Sequence, residues 1–364
     1  MTSSEPQSMV AILEKASSQL QQKLPFVIYN KPNSKQLIGI FQQNDTLCFV
    51  ENFEETGFAF APFDRDKIVL IPKNQSEICI ADFEMTSDNE THIHPKEKDR
   101  GEAKIKYENL VQKAIDKIES GELSKVVLSR EEIVKLSSFD IFVVLKRLFN
   151  SYSSAFAYCF FHPKVGLWMG AFSEQLLKME GAIFYTSAVA GTQLFQESQE
   201  AIWENKEKQE QQFVSDFILE KVKKITSSIV ISEPYNLKAG NLLHIKTDIQ
   251  GIVNLGSSLK EVLEILHPTP AVCGLPLDVA KEFILKNEGY DREYYSGFLG
   301  ELNSDFGTQE KNTDLYVNLR CVKIDLRTNR AHIYVGGGIT EGSIPEKEWI
   351  ETTNKSMTMK EILE

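Results

Sequence analysis

Apolar and polar positions form two kinds of pattern along the chain. Short apolar runs predict strands in the first part, and a mixture of such runs and apolar residues at helical spacing predicts strands and helices later. A short helix is expected at the start, and six short apolar and aromatic runs follow it, separated by Asn, Asp, Gly and Pro. Runs bounded by such turn-forming residues are typical of β-strands. The runs are residues 25–29, 37–41, 47–50, 58–60, 68–71 and 78–81.

A polar, charged stretch at residues 85–102 predicts a long loop. We therefore expect a β-rich N-terminal segment, residues 1–100, packed on a larger domain, residues 101–364, that carries the candidate chemistry below. In that domain, apolar residues at helical spacing predict helices at 104–120, 139–149, 199–225 and 278–287, and one that starts near Ser343. Strand patterns occupy 125–136, 155–161, 166–172, 182–189, 241–250, 294–302, 315–326 and 331–335.

The order of these elements favours an α+β fold with large, mostly antiparallel sheets. Strands follow one another through short connections and are interrupted by single helices, without strict strand–helix alternation. A dinucleotide-binding fold is not expected, because the triplet Gly336-Gly337-Gly338 does not satisfy GxGxxG. No phosphate-binding GxxxxGK[ST] loop occurs either.

Composition narrows the class of protein further. The 364 residues are 42% hydrophobic and 25% charged, as in globular proteins, and the net charge of −12 opposes binding to nucleic acid or an anionic membrane. No apolar run approaches the roughly 20 residues of a membrane helix. The N-terminus lacks the pattern of a secretory signal, so a cytoplasmic location is expected. Five widely spaced cysteines predict reduced, structural thiols.

Two predicted helices carry pairs of acids on their apolar stripes. Glu207 and Glu210 precede the apolar residues Val214 and Phe217 by seven positions each, which places both acids on the inward face. Alternatively, this end of the helix emerges into water and the two acids are solvated.

The C-terminal helix repeats the arrangement. Ser343 and Glu346 fit a capping box, and Pro345 fits the first turn. Glu348 and Glu351 then share a face that becomes apolar further along the helix, although Glu351 could instead form an exposed ion pair with Lys355. Two such pairs would repel each other unless a divalent cation bound them, and Mg²⁺ suits an all-oxygen site best.

Nine short motifs resemble those of the chorismate-utilising enzymes, a family that includes isochorismate, salicylate, anthranilate and aminodeoxychorismate synthases. They occur in the family's order over about residues 104–363. The motifs are SKVVLSR (124–130), FSEQLL (172–177), AVAGT (188–192), EKQEQ (207–211), HPTPAVCGLP (267–276), YSGFLG (295–300), LRC (319–321), YVGGGI (334–339) and EWIETTNK (348–355).

The resemblance implies two large antiparallel sheets packed face to face with helices outside, and a cleft that binds chorismate with Mg²⁺. By matching positions, Glu210 and Glu351 are implied as the nearest Mg²⁺ ligands, with Glu207 and Glu348 in support. The positions implied to bind substrate are Gly191, Thr192, His267, Tyr295, Arg320, Gly336 and Lys355. The guanidinium of Arg320 suits a carboxylate, although a solvent-facing strand arginine is the alternative.

Two positions within the resemblance indicate which nucleophile is used. Lys125 stands where water-adding members have lysine, and Ala190 stands where aminodeoxychorismate synthases carry a lysine that attacks the ring. The implied reaction has neutral Lys125 remove a proton from the water that attacks C2, while protonated Glu174 donates to the departing C4 hydroxyl. A raised pKa would keep Glu174 protonated.

We therefore expect an isochorismate synthase, an isomerase of menaquinone or siderophore biosynthesis, with menaquinone preferred. A salicylate synthase, which also eliminates pyruvate, is the alternative. A non-catalytic anion-binding protein of the same fold would be favoured had Lys125, Glu174 or an acid of the metal site been replaced. No glutaminase partner is expected, and the sequence leaves the oligomeric state open, a monomer included.

Overall fold

The computed structural model describes residues 8–82, 101–194, 201–239 and 242–364. The loop predicted at 85–102 lies almost wholly outside them. In the described ranges the helices are α1 (Met9–Gln22), α2 (Gly101–Glu119), α3 (Ile141–Ser151), α4 (Asn205–Val222), α5 (Leu259–Leu266), α6 (Leu277–Asn287) and α7 (Pro345–Leu363). The strands are β1 (Phe26–Asn30), β2 (Gln36–Gln42), β3 (Cys48–Phe49), β4 (Gly57–Ala61), β5 (Val69–Pro72), β6 (Ser76–Asp82), β7 (Lys125–Lys135), β8 (Phe156–His162), β9 (Gly166–Phe172), β10 (Gln175–Glu180), β11 (Ile183–Leu194), β12 (Thr226–Ile231), β13 (Tyr235–Ala239), β14 (Leu242–Val253), β15 (Gly274–Leu275), β16 (Phe298–Leu302), β17 (Asn312–Val317), β18 (Cys321–Asp325) and β19 (Arg330–Ile339).

Within the described residues these strands form two antiparallel sheets, which confirms the predicted α+β class. The first sheet has the order β15-β7-β19-β18-β9-β8-β1-β2-β6. The second has the order β12-β14-β11-β10-β17-β16-β4-β5-β3, and β13 pairs with β14. In each sheet a strand from the N-terminal segment pairs with one from the rest of the chain, β1 with β8 and β4 with β16. The segment predicted as residues 1–100 thus contributes strands to both sheets.

The two sheets pack face to face across an aromatic core. Tyr29 and Tyr158 of the first sheet and Phe58 and Phe60 of the second are among its buried side chains. Helices cover the outer faces: α1, α3 and α7 pack on the first sheet, and α4 and α5 pack on the second. Helices α2 and α6 form a further apolar cluster with the start of β7 and the end of β19. The charged groups described below lie near these ends.

One strand prediction was wrong in a way that matters for the site. The apolar run at 315–326 was interpreted as a single strand, but β17 ends at Val317 and β18 begins at Cys321. The two strands belong to different sheets. Arg320 adopts a left-handed conformation, with φ of 43°, at this break. No Gly or Pro marks the break, so the pattern could not reveal it.

Other predictions needed smaller corrections. Helix α4 starts at Asn205 rather than near 199, and residues 294–297 precede β16 instead of belonging to it. The capping box predicted at Ser343 is absent, because the N-cap of α7 is Ile344, which makes no side-chain cap bond. Ser343 Oγ instead accepts a hydrogen bond from the Thr340 amide. In the described chain, no helix combines the length and apolarity that crossing a membrane requires.

Candidate active site

Glu174 and Arg320 lie where the chain passes between the two sheets. Glu174 falls between β9 of the first sheet and β10 of the second, and Arg320 falls between β17 of the second and β18 of the first. The flanking strands pair, β9 with β18 and β10 with β17, so both crossings occur side by side. The Val317 amide donates to the Glu174 carbonyl at 2.9 Å. An acid and a guanidinium distant in sequence therefore meet at one point.

The Glu174 carboxyl is tuned towards its protonated form. Burial raises its pKa to about 7, and this effect outweighs the nearby positive charges of Lys125, Lys355 and Arg320, which act to lower it. Near neutral pH a substantial fraction of Glu174 therefore holds its proton. A carboxyl with a pKa near the working pH is what a general acid requires.

Arg320 is a partly buried cation in the same group of charges. Burial lowers the pKa of its guanidinium, while Tyr152 and Glu351 act in the opposite direction. A guanidinium stays protonated under such conditions. Arg320 lies between β17 and β18 and not within a strand. The predicted strand position and the alternative of a solvent-facing strand arginine are therefore both wrong. Its fork of donors is instead available at the sheet crossing to an anion.

Lys125, the first residue of β7, is fully buried. Its Nζ lies 2.8 Å from Oε1 of Glu210 on α4. Both side chains lie against Gly338 of β19: a Cβ added there would approach Glu210 Oε1 to 2.5 Å and Lys125 Cε to 3.3 Å. Gly338 thus lets the acid reach the lysine across the strand. The alternative of a solvated Glu210 is not observed, since its side chain is only 15% exposed.

Helix α7 approaches the other face of the same strand. Successive residues of a strand point to opposite faces, and the neighbouring Gly337 has Glu348 Oε2 3.4 Å and Glu351 Oε1 3.8 Å from the position of an added Cβ. Glu348 is buried. Glu351 pairs with Lys355 at 2.7 Å, and Lys355 Nζ also donates to the Gly336 carbonyl at 3.0 Å. The glycine triplet forms the end of β19, beyond the predicted strand at 331–335, and Glu210 approaches one of its faces while Glu348 and Glu351 approach the other.

The four acids offer a donor set that suits a hard divalent cation, because every ligand atom is a carboxylate oxygen. Glu207 Oε2 is buried and has no hydrogen-bond partner in the described chain, and Gly337 leaves space between the oxygens of Glu348 and Glu351. Among the described residues, however, no three His, Cys, Asp or Glu side chains already stand together as metal ligands. The donor chemistry therefore fits Mg²⁺, while Glu210 and the two acids of α7 lie on opposite faces of β19.

Gly191 and Thr192 lie at a register shift in β11, between Ala190 and Gln193. Gly191 has φ of 73°, and an added Cβ would lie 3.0 Å from the Glu207 Cβ, so glycine suits this position for both reasons. The side chain of Thr192 lies outside the described residues. This bulge brings the strand against the start of α4 and hence against the acid pair.

His244 of β14 was not predicted and lies in the same group of charges. Its Nδ1 is 3.0 Å from the Gly191 carbonyl. A carbonyl only accepts, so Nδ1 carries the proton. Burial, and next the charge of Arg320, lower the pKa of His244 to about 4, so the ring is neutral near pH 7. The sequence could not identify His244 as a site residue, because a single histidine in a strand of alternating polarity looks like any other polar strand residue.

Tyr295 and His267 occupy different surroundings. Tyr295 is buried on Tyr334, and its hydroxyl would be 2.8 Å from a Cβ on Gly336, which places it against the glycine triplet. The His267 ring is 2.9 Å from the Ser296 carbonyl and packs edge-on against Phe298. Burial lowers the pKa of His267 to about 3. The contacts of His267 do not join it to the charged group.

The assembled group can bind an anion and exchange protons with it. Arg320 and Lys355 provide cations near a protonatable acid, Glu174, and a buried amine, Lys125. An amine and a carboxylic acid in one cleft form a pair that could act as base and acid on the same substrate.

The chain is similar to known proteins of one family. A family model described as chorismate binding enzyme matches residues 65–364. The chain is 28% identical to isochorismate synthase MenF of Pasteurella multocida over 321 residues, which are 83% of this chain and 70% of the relative. It is 30% identical to isochorismate synthase EntC of Escherichia coli K12 over 265 residues, 70% of this chain and 66% of the relative.

A solved structure shares the fold. The menaquinone-specific isochorismate synthase MenF of Escherichia coli superposes with a TM-score of 0.79 at 21% identity, over 99% of this chain and 92% of that one. The match extends over both sheets, including the strands of the N-terminal segment.

Proposed function

The chain belongs to the family of chorismate-binding enzymes, and from that premise we propose that it is an isochorismate synthase. It would convert chorismate to isochorismate by adding water at C2 with loss of the C4 hydroxyl. The relatives named isochorismate synthases support this activity, at 28% and 30% identity.

One observation carries the proposal: a wholly buried Lys125 and a Glu174 with a pKa of about 7 share one group of charges. In the reaction, neutral Lys125 takes a proton from the water that attacks C2. Protonated Glu174 gives its proton to the C4 hydroxyl, which leaves as water. One water is added and one is lost, so the product is an isomer of the substrate.

The remaining residues position the substrate. Arg320, Lys355 and the backbone at Gly336 are proposed to bind its carboxylates, and Tyr295, Gly191 and Thr192 to border it. His244 is added to this set on structural grounds. Glu207, Glu210, Glu348 and Glu351 would hold Mg²⁺, which when bound supplies positive charge opposite a substrate carboxylate.

The test is incubation of the purified protein with chorismate and MgCl₂, followed by chromatographic separation of the products. We expect isochorismate alone. Salicylate together with pyruvate would replace the proposal by a salicylate synthase. No conversion with Mg²⁺ or any other divalent metal would refute both activities. The Lys125→Ala variant serves as the matched control for contaminating activity.

A further inference from the structure

Tyr107 of α2 has a buried hydroxyl that no known role explains. The side chain is 3% exposed, and its ring packs on Trp349 of α7 with centroids 6.2 Å apart. Its place on the apolar stripe of α2 accounts for the ring but not for the hydroxyl. Within the described ranges, the hydroxyl oxygen is buried and makes no hydrogen bond. A buried phenol without a partner is unfavourable, whereas phenylalanine would fill the same space.

The hydroxyl faces the acid pair of α7. The position that a Cβ on Gly337 would occupy lies 4.0 Å from Tyr107 Oη, 3.4 Å from Glu348 Oε2 and 3.8 Å from Glu351 Oε1. Three oxygens on two helices thus surround one point beside a glycine. A phenol holds its proton near neutral pH, because its ordinary pKa is about 10, and it can therefore donate a hydrogen bond to a carboxylate.

We propose that Tyr107 is a positioning residue for the acids of α7: its hydroxyl donates a hydrogen bond, directly or through one water, to Glu348 or Glu351 when these acids bind a divalent cation. The inference rests on the metal site of the proposed function. A hydrogen bond to a ligating carboxylate fixes its orientation, and loss of such a bond typically costs about 10- to 100-fold in metal affinity.

The experiment compares Tyr107→Phe with the wild type in metal-free protein and in protein titrated with Mg²⁺, by calorimetry and by thermal unfolding. We expect the variant to bind Mg²⁺ at least about 10-fold more weakly and to gain a smaller rise in Tm from Mg²⁺. Without metal its Tm should equal or exceed that of the wild type, because the substitution removes a buried hydroxyl that has no partner.

A matched control is Tyr29→Phe. Tyr29 is equally buried, and its hydroxyl donates to the Glu301 carboxylate between the sheets. Its loss should lower the Tm without metal and leave Mg²⁺ affinity unchanged. A merely structural role for Tyr107 predicts that same result for Tyr107→Phe, and this result would overturn the inference.

Gly337→Ala provides a second test at the same point. Its methyl group would lie 3.4 Å from Glu348 Oε2 and 4.0 Å from the phenol oxygen. It would therefore occupy space beside both groups and should also weaken Mg²⁺ binding. Combined with Tyr107→Phe, it should weaken binding less than the product of the two separate effects, and full multiplicativity would count against a shared contact.

If the wild type neither binds Mg²⁺ nor converts chorismate, the proposed function fails. If the wild type does both and Tyr107→Phe binds Mg²⁺ normally, only the present inference fails.

Discussion

Replacing Glu174 by Gln tests the acid proposed for the reaction through stability as well as activity. The substitution keeps the shape of the side chain and removes its titratable proton. Burial raises the pKa of Glu174 from 4.5 to about 7, so the folded chain retains a proton that the unfolded chain has already lost over this range. The free energy of unfolding of the wild type therefore falls as pH rises from about 4.5 to about 7, and this effect levels off above 7.

The size of the effect follows from the change in pKa. At about 1.4 kcal/mol for each pH unit, a rise from 4.5 to about 7 corresponds to at most about 3 kcal/mol. Most of this change falls between pH 5 and pH 8. Urea unfolding of metal-free wild type and Glu174→Gln at these two pH values measures it. From pH 5 to pH 8, the free energy of unfolding of the variant should rise by about 2 to 3 kcal/mol relative to that of the wild type. All other titrating groups are common to both proteins.

Glu119→Gln is the matched control, because Glu119 is exposed at the end of α2. Its stability relative to the wild type should not depend on pH. Glu174→Gln should also lose about 100- to 10,000-fold in kcat, and the wild type should show a decline in kcat/KM above about pH 7 as the acid ionises. A stability difference that stays constant from pH 5 to pH 8 would refute the raised pKa and remove the physical basis for the acid role.

Two further variants test the base and the metal ligands. Lys125→Ala should abolish conversion, while Mg²⁺ binding measured by calorimetry persists or strengthens because Glu210 loses its lysine partner; near-normal turnover would show that the base is another group. Glu351→Gln should weaken the binding of Mg²⁺ and of chorismate together, and an unchanged Mg²⁺ titration would exclude Glu351 as a ligand.

Apolar runs bounded by turn residues predicted most strands, many of which are buried along their whole length, and helical spacing predicted most helices. Neither pattern could predict which sheet a strand joins. Arg320 illustrates the limit. Its motif lies in a segment predicted as one strand, and only the structure shows that the chain leaves one sheet and enters the other at that residue. Sheet membership depends on pairings between residues far apart in the chain, such as Cys321 with Gly170. A single sequence does not encode these as a local pattern.

The acids show what could be predicted about the site. Glu348 was placed on an inward face by its spacing from apolar residues, and it is buried. The sequence could not show that α7 and α4 approach opposite faces of β19. The strand ends in glycines there, and glycine has no side chain to indicate which face a neighbouring helix contacts. Tyr107 was missed for a related reason. On the apolar stripe of a helix a tyrosine is indistinguishable from core, and the direction of its hydroxyl depends on another helix.

The balance of charge in the site predicts that a bound metal matters for binding and not only for turnover. With Lys125 neutral, as the proposed base requires, the cations Arg320 and Lys355 stand against the acids Glu207, Glu210, Glu348 and Glu351, while Glu174 is largely neutral below pH 7. With all four of these acids ionised the group carries two net negative charges, which would repel a dicarboxylate in a cleft of low dielectric. A divalent cation held by the acids would cancel that charge. Removal of Mg²⁺ by a chelator should therefore weaken chorismate binding itself, whereas a metal needed only for the chemical step would leave the affinity unchanged.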